Sequence, residues 1–139
     1  MRRPALAAAV LLAALVHGSA EACRCAPNPP AQRFFTEPES AKVQVLVRYR
    51  RQVPSAAGDP TGPAWVEVET QPLRGAGFSR YRWGGSSCDL RLPQEGWFLL
   101  LSDGDPEMGF NTCATALLPV EEAGALVQRL RKAAATGKR

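Results

Sequence analysis

Five short strand patterns, turn residues between them and one helical pattern after the last predict an all-β chain closed by a terminal helix. Five strands fall short of the roughly seven that a β-sandwich usually needs. The expected architecture is a five-stranded Greek-key barrel of the OB type with the C-terminal helix packed on it.

The first residues do not belong to that domain. Arg2 and Arg3 give a positive start, residues 5–16 are an apolar run, and Ala20-Glu21-Ala22 has the small-x-small form that signal peptidase cuts. Residues 1–22 are read as a secretory signal and residues 23–139 as one domain. The apolar run is shorter than the roughly 20 residues that cross a bilayer, and no later run is longer, so no transmembrane span is expected. The mature chain is expected to be secreted, extracellular or periplasmic, starting at Cys23. A lipid anchor on Cys23 is the competing reading. Lipoprotein signals usually carry Leu three residues before the cysteine and a small residue two before, whereas here these are Ala20 and Glu21.

Residues 23–38 carry Pro27, Pro29, Pro30 and Pro38. Proline fixes φ and removes a backbone donor, so this stretch is expected to lie irregular and extended over a surface, anchored by Phe34 and Phe35. Residues 42–51 alternate, with Val43, Val45, Val47 and Tyr49 on one face. Residues 65–70 set Val66 and Val68 opposite Glu67 and Glu69. Residues 78–82 make a short polar-aromatic strand. Residues 97–101 are continuously apolar, as in a strand buried on both faces. Residues 112–118 carry Cys113 and end at Pro119.

Turn chemistry separates these strands. Residues 54–63 hold Gly58, Asp59, Pro60 and Gly62, the composition of a long exposed loop. Gly84-Gly85 precedes Cys88, and Asp103-Gly104-Asp105-Pro106 reads as a hairpin-like turn. Asp103, Asp105 and Glu107 lack the spacing and late bidentate glutamate of a calcium loop, so they read as an acidic turn. From Pro119 the pattern is helical, with Val120, Ala123, Val127 and Leu130 on one side and Leu126 beside them. Pro119 suits a first helical position. Glu121 and Glu122 fall in the expected first turn, and Arg129, Arg131 and Lys132 in the expected last, complementing the helix dipole.

The only histidine, His17, lies in the signal. Without imidazole the mature chain has no Ser-His-Asp or Cys-His catalysis and no histidine zinc site. It is not expected to be an enzyme or to carry a cofactor. The formal charge of +4 is modest and scattered, which is no nucleic-acid signature. Two clusters, Arg48-Arg50-Arg51 and Arg129-Arg131-Lys132, could meet an acidic polysaccharide or membrane surface, although a solvated strand end and an exposed helix face are the favoured explanation. Cys23, Cys25, Cys88 and Cys113 are an even set in an export-bound chain and read as two disulfides. A Cys23–Cys25 bridge would close a tiny, poorly shaped ring. The residues leave the other two connectivities open. A thiol redox role for Cys23-x-Cys25 needs a lowered pKa, and no group that would supply one is evident.

From Cys23 the chain reads Cys-Arg-Cys-Ala-Pro-Asn-Pro-Pro-Ala-Gln-Arg-Phe-Phe. This resembles the mature N-terminus of the tissue inhibitors of metalloproteinases (TIMP), Cys-x-Cys-x-Pro followed by a His-Pro pair and Phe-Cys. Cys23, Cys25, Pro27, Pro30 and Phe34 match; Pro29 stands at the family's histidine and Phe35 at its third cysteine. The stretch from Ser87 through Gly96-Trp97-Phe98-Leu99-Leu100 to Cys113 is similar to netrin-like domains, which share the OB fold. Residues 52–85 match in rough layout only.

The resemblance implies disulfides Cys23–Cys88 and Cys25–Cys113. It further implies an inhibitor of zinc metalloproteinases, in which the α-amine and carbonyl oxygen of Cys23 chelate the target's catalytic zinc and displace its water. Cys23 would thus be a metal contact only toward the enzyme's zinc. Arg24 would enter the pocket for the residue after the scissile bond, with Ser86 and Ser87 as the adjoining contact loop. A catalytic zinc keeps an open position, and an α-amine with a pKa of about 7.7–8.0 loses its proton at modest cost. Arg24 departs from the family, which usually has Thr or Ser there. Burying an unpaired guanidinium costs several kcal/mol, so the target would need an acidic or wet pocket. The alternative is a netrin-like extracellular binding or structural module whose cysteines only staple the barrel. A monomer is expected in either case.

Overall fold

A computed structural model describes residues 23–55, 62–75 and 77–137. The signal segment with His17, and Gly58, Asp59 and Pro60 of the first loop, lie outside the described residues. The stretch expected to be irregular contains a helix, α1 (Pro30–Thr36). Pro30 sits in its first turn, where a missing N–H costs nothing, and Ala31, Gln32 and Arg33 continue it. Asn28, at φ 54°, turns the chain into this helix, a left-handed conformation that Asn tolerates. A helix advances 3.6 residues per turn, so adjacent phenylalanines cannot share a face. Phe34 is fully buried, whereas Phe35 is 59% exposed and anchors nothing in the core.

Strand β1 (Val43–Val53) pairs antiparallel with β2 (Ala64–Arg74), and both run longer than their clean alternation. The register shifts between Gln44 and Val45, opposite Pro72, and again between Tyr49 and Arg51. Such bulges absorb a proline and re-aim the strand end. Strand β3 (Arg80–Trp83) adds to β2, starting later than residue 78. Strand β4 (Phe98–Ser102) lies on the other side of β1, and β5 (Thr115–Pro119) adds to β4. The result is an open antiparallel five-stranded sheet in the order β3-β2-β1-β4-β5. Among the described residues no ladder joins β3 to β5. Residues 112–114 form a turn instead of the start of β5, because the Asn111 side-chain oxygen accepts from the N–H groups of Cys113 and Ala114, both at 2.9 Å.

The sheet buries both faces, and the pleat sorts them. Leu99 and Leu101 point to one side with Leu46, Ala116 and Phe34, while Leu100 points to the other with Val45, Val47, Val66, Val68 and Tyr81. This two-sided burial is why residues 97–101 are apolar throughout. Helix α2 (Val120–Thr136) covers the first face through Ala123, Val127 and Leu130. The second face is covered by Leu90, Leu92 and Phe110, which come from the connections flanking β4.

Pro119 ends β5 and is the N-cap of α2, so the helix begins one residue later than expected. It also runs on to Thr136, which leaves Arg129, Arg131 and Lys132 short of its last turn. Arg129 pairs with Glu39 at 2.7 Å instead of complementing the dipole.

The acidic turn after β4 is a longer loop with a 3-10 turn, Pro106–Met108. Asp105 caps that turn by accepting from the Glu107 N–H at 2.9 Å. Asp103 accepts from the Arg33 guanidinium at 2.7 Å and the Lys42 N–H at 2.9 Å, tying α1 to the approach to β1. Gly109, at φ 81°, lets this loop lie on β3, since a Cβ there would sit 2.8 Å from the Arg82 carbonyl oxygen. No helix among the described residues is long and apolar enough to cross a membrane.

Candidate functional site

Two disulfides fix the beginning of the described chain. Cys23 joins Cys88 with Cα atoms 4.9 Å apart, and Cys25 joins Cys113 with Cα atoms 5.5 Å apart. They close spans of 65 and 88 residues. Two cysteines separated by the single residue Arg24 reach both partners because the partners come from adjacent hydrogen-bonded segments. The Thr112 N–H donates to the Cys88 carbonyl at 2.8 Å, and the Leu90 N–H to the Phe110 carbonyl at 3.0 Å. Between these contacts, Asp89 and Asn111 form an isolated antiparallel bridge. The Ala31 N–H then donates to the Cys113 carbonyl at 2.9 Å, which docks α1 beside the second bridge.

Ser86 and Ser87 lie on an exposed loop immediately before Cys88. Asp89 shapes that loop. Its carboxylate accepts from the Ser86 N–H at 2.9 Å, and its own N–H donates to the Ser86 carbonyl at 3.1 Å. The Cys23–Cys88 bond therefore brings Cys23 covalently alongside Ser87 and Ser86. Arg24 is exposed and has no ion pair among the described residues, and Cys25 is exposed while Cys23 is half-buried. A cavity of about 310 Å³, bordered by Gly84, Asp89, Asn111 and the strongly exposed Met108, opens next to this loop.

Below the loop, Tyr81 fixes the backbone two residues beyond Cys88. Its hydroxyl donates to the Leu90 carbonyl at 3.1 Å. Burial pushes this phenol up to about 12. Asp89, Asn111 and Tyr81 are the residues that sequence reasoning missed. Asp89 and Asn111 carry a faint signal, a turn-forming Asx residue within two positions of a cysteine. Tyr81 carries none beyond its place in a short strand.

The sulfurs of Cys23, Cys25 and Cys113 lie within 4.8 Å of one another. All three are in disulfides, and a disulfide sulfur is not the thiolate donor that a zinc site requires, so this cluster does not fit a resident metal. No cysteine is free among the described residues, so a Cys-x-Cys dithiol is not present in this form. Of the basic cluster on β1, Arg48 pairs with Glu69 and Arg51 makes a two-pronged pair with Glu67 at 2.6 and 3.0 Å. That hydrogen bond lowers the Glu67 pKa and raises that of Arg51. Much of the cluster's charge is thus answered within the sheet. Compared with known proteins, the chain matches no family model and no curated sequence.

Proposed function

We propose that residues 23–139 are a secreted inhibitor of zinc metalloproteinases built on a TIMP-like OB-type barrel. The strand order supports the barrel reading, since β3-β2-β1-β4-β5 is the order of a five-stranded Greek-key barrel opened between β3 and β5. The observation that carries the function is the covalent edge. Cys23 is bonded to Cys88, Arg24 projects from a segment pinned at both ends, and Ser86 and Ser87 sit exposed on the adjoining loop.

Cleavage after Ala22 would free the Cys23 amine on that edge. Its lone pair and the Cys23 carbonyl oxygen would occupy the open positions of a catalytic zinc and remove the water that the enzyme needs as nucleophile. Two bridges hold this chelator in place before binding, so little ordering cost is left for the encounter. Arg24 selects among targets, because its guanidinium binds well only in a pocket that offers a carboxylate or water.

Adding one alanine before Cys23 tests the mechanism. Inhibition of a responsive metalloproteinase should be lost while the circular-dichroism spectrum stays unchanged. Undiminished inhibition would overturn zinc chelation by Cys23. Failure of the unmodified protein against a broad metalloproteinase panel would instead favour the netrin-like binding module, the reading that the charge of Arg24 supports.

A further inference from the structure

The two bridges are neighbours in space as well as in sequence. The Cys23 and Cys113 sulfurs, which belong to different disulfides, are 3.7 Å apart, about the distance of van der Waals contact. Access differs across the group: Cys25 is exposed, whereas Cys23, Cys88 and Cys113 are each half-buried. Cys25 is the exposed residue of the group, which makes its bridge to Cys113 the one open to an external thiolate, and attack on the Cys25 sulfur proceeds with departure of the other. The departing group is then the Cys113 thiolate, already against Cys23.

We propose that Cys25 is a site of modification by small thiols and that its modification passes the second bridge from Cys88 to Cys113. In the first step the small thiolate bonds to the Cys25 sulfur, the Cys25–Cys113 bond breaks, and Cys113 leaves as thiolate. In the second step Cys113 bonds to the Cys23 sulfur, the Cys23–Cys88 bond breaks, and Cys88 leaves as thiolate and takes a proton from water. One thiol is consumed as a mixed disulfide on Cys25, and no further oxidant or reductant is needed.

The fold can accept this product. The loop carrying Cys88 keeps its hydrogen bonds from Thr112 to Cys88 and between Asp89 and Ser86, so the layer over the sheet's second face stays in place. What changes is the tether, since Cys23 is no longer bonded beside Ser86 and Ser87. The exchange does not rest on the inhibitor reading. If that reading holds, the small thiol is also a switch that separates the chelating residue from its companion loop.

The test uses the secreted, fully oxidised protein incubated with glutathione, quenched with acid, alkylated with N-ethylmaleimide and mapped without reduction. Trypsin cuts after Arg24, which puts Cys23 and Cys25 in different peptides, and cuts after Arg91 likewise separate Cys88 from Cys113. The expected products are glutathione on Cys25, N-ethylmaleimide on Cys88 and a new Cys23–Cys113 linked peptide. Glutathione on Cys25 with the label confined to Cys113, or first attack on the Cys23–Cys88 bridge, would overturn the proposal.

A Cys25→Ser variant frees Cys113 with no reductant present. Because the swap conserves the number of S–S bonds and needs no reductant, Cys88 should be labelled as well as Cys113. Labelling of Cys113 alone would also overturn the proposal. Should this variant fail to fold, the glutathione experiment on the unaltered protein decides the matter.

Discussion

Tyr81 concentrates in one side chain the way this domain supports its exposed edge. The ring packs at 5.6 Å from Phe110 in the second core, and the hydroxyl donates to the Leu90 carbonyl just beyond Cys88. Burial raises its pKa to about 12, against about 10 in an unfolded chain. For a phenol this means that folding favours the neutral form. The stabilisation is fully present below about pH 10 and is lost as pH climbs through about 12, where the unfolded chain has already released the proton. Urea unfolding at a series of alkaline pH values should show stability falling across that window. Tyr81→Phe, which cannot ionise, should show a flatter fall while losing about 0.5–1.5 kcal/mol at neutral pH from the missing hydrogen bond. An equally steep alkaline fall in the variant would remove Tyr81 as the cause. Phe34 and Phe35 teach a related lesson at this scale. Both were equally apolar on the page, and only the helical turn of α1 decided which one the core received.

Elements differ in how much of themselves they wrote into the sequence. Strand β2 is legible because one-sided burial imposes period two on Val66 and Val68, whereas β4 and the first half of β1 are legible as apolar runs because both of their faces are buried. Helix α1 was hidden by its prolines, which mark a break in a helix interior but are compatible with a first turn. The start of β5 was hidden because Asn111 diverts the backbone donors of Cys113 and Ala114, a side-chain choice that no periodicity records. In helix α2 the buried face is legible and the C-terminal end is not, since the exposed Ala-rich turn after Lys132 has no apolar stripe to extend. Within α2, Gly124 is exposed, and a Cβ built on it meets nothing within 4 Å. Gly124→Ala should therefore stabilise the domain by about 0.8–1 kcal/mol through helix propensity, read as a raised thermal midpoint. Gly109→Ala is the contrasting control and should lower it, given its positive φ and the Arg82 carbonyl 2.8 Å from the added carbon.

At the scale of the whole molecule, one sheet is covered in two different ways. Its first face is covered by helices α1 and α2, and its second by two largely irregular connections that hold the 3-10 turn Pro106–Met108 and are joined by the Asp89–Asn111 bridge. The cysteines join these layers. Cys25–Cys113 links the segment leading into α1 to the connection before β5, and the Ala31 N–H bond to the Cys113 carbonyl repeats that link through the backbone. In the sequence, the cysteine positions and the exposed serines of the candidate edge were visible. The hydrogen bonds that bring Cys88 and Cys113 side by side were not, because they depend on partners twenty or more residues apart. The sheet ladders and both cores are independent of the bridge, so replacing Cys25 and Cys113 together by serine should leave the far-ultraviolet spectrum in place. The loss of an 88-residue closure should still lower unfolding free energy by about 2–5 kcal/mol in urea. Hydrogen exchange should locate the damage, with the Ala31 amide losing protection before the amides of β1 and β4. A loss below about 1 kcal/mol with Ala31 still protected would mean that burial of Phe34, not the disulfide, holds the N-terminal segment to the sheet.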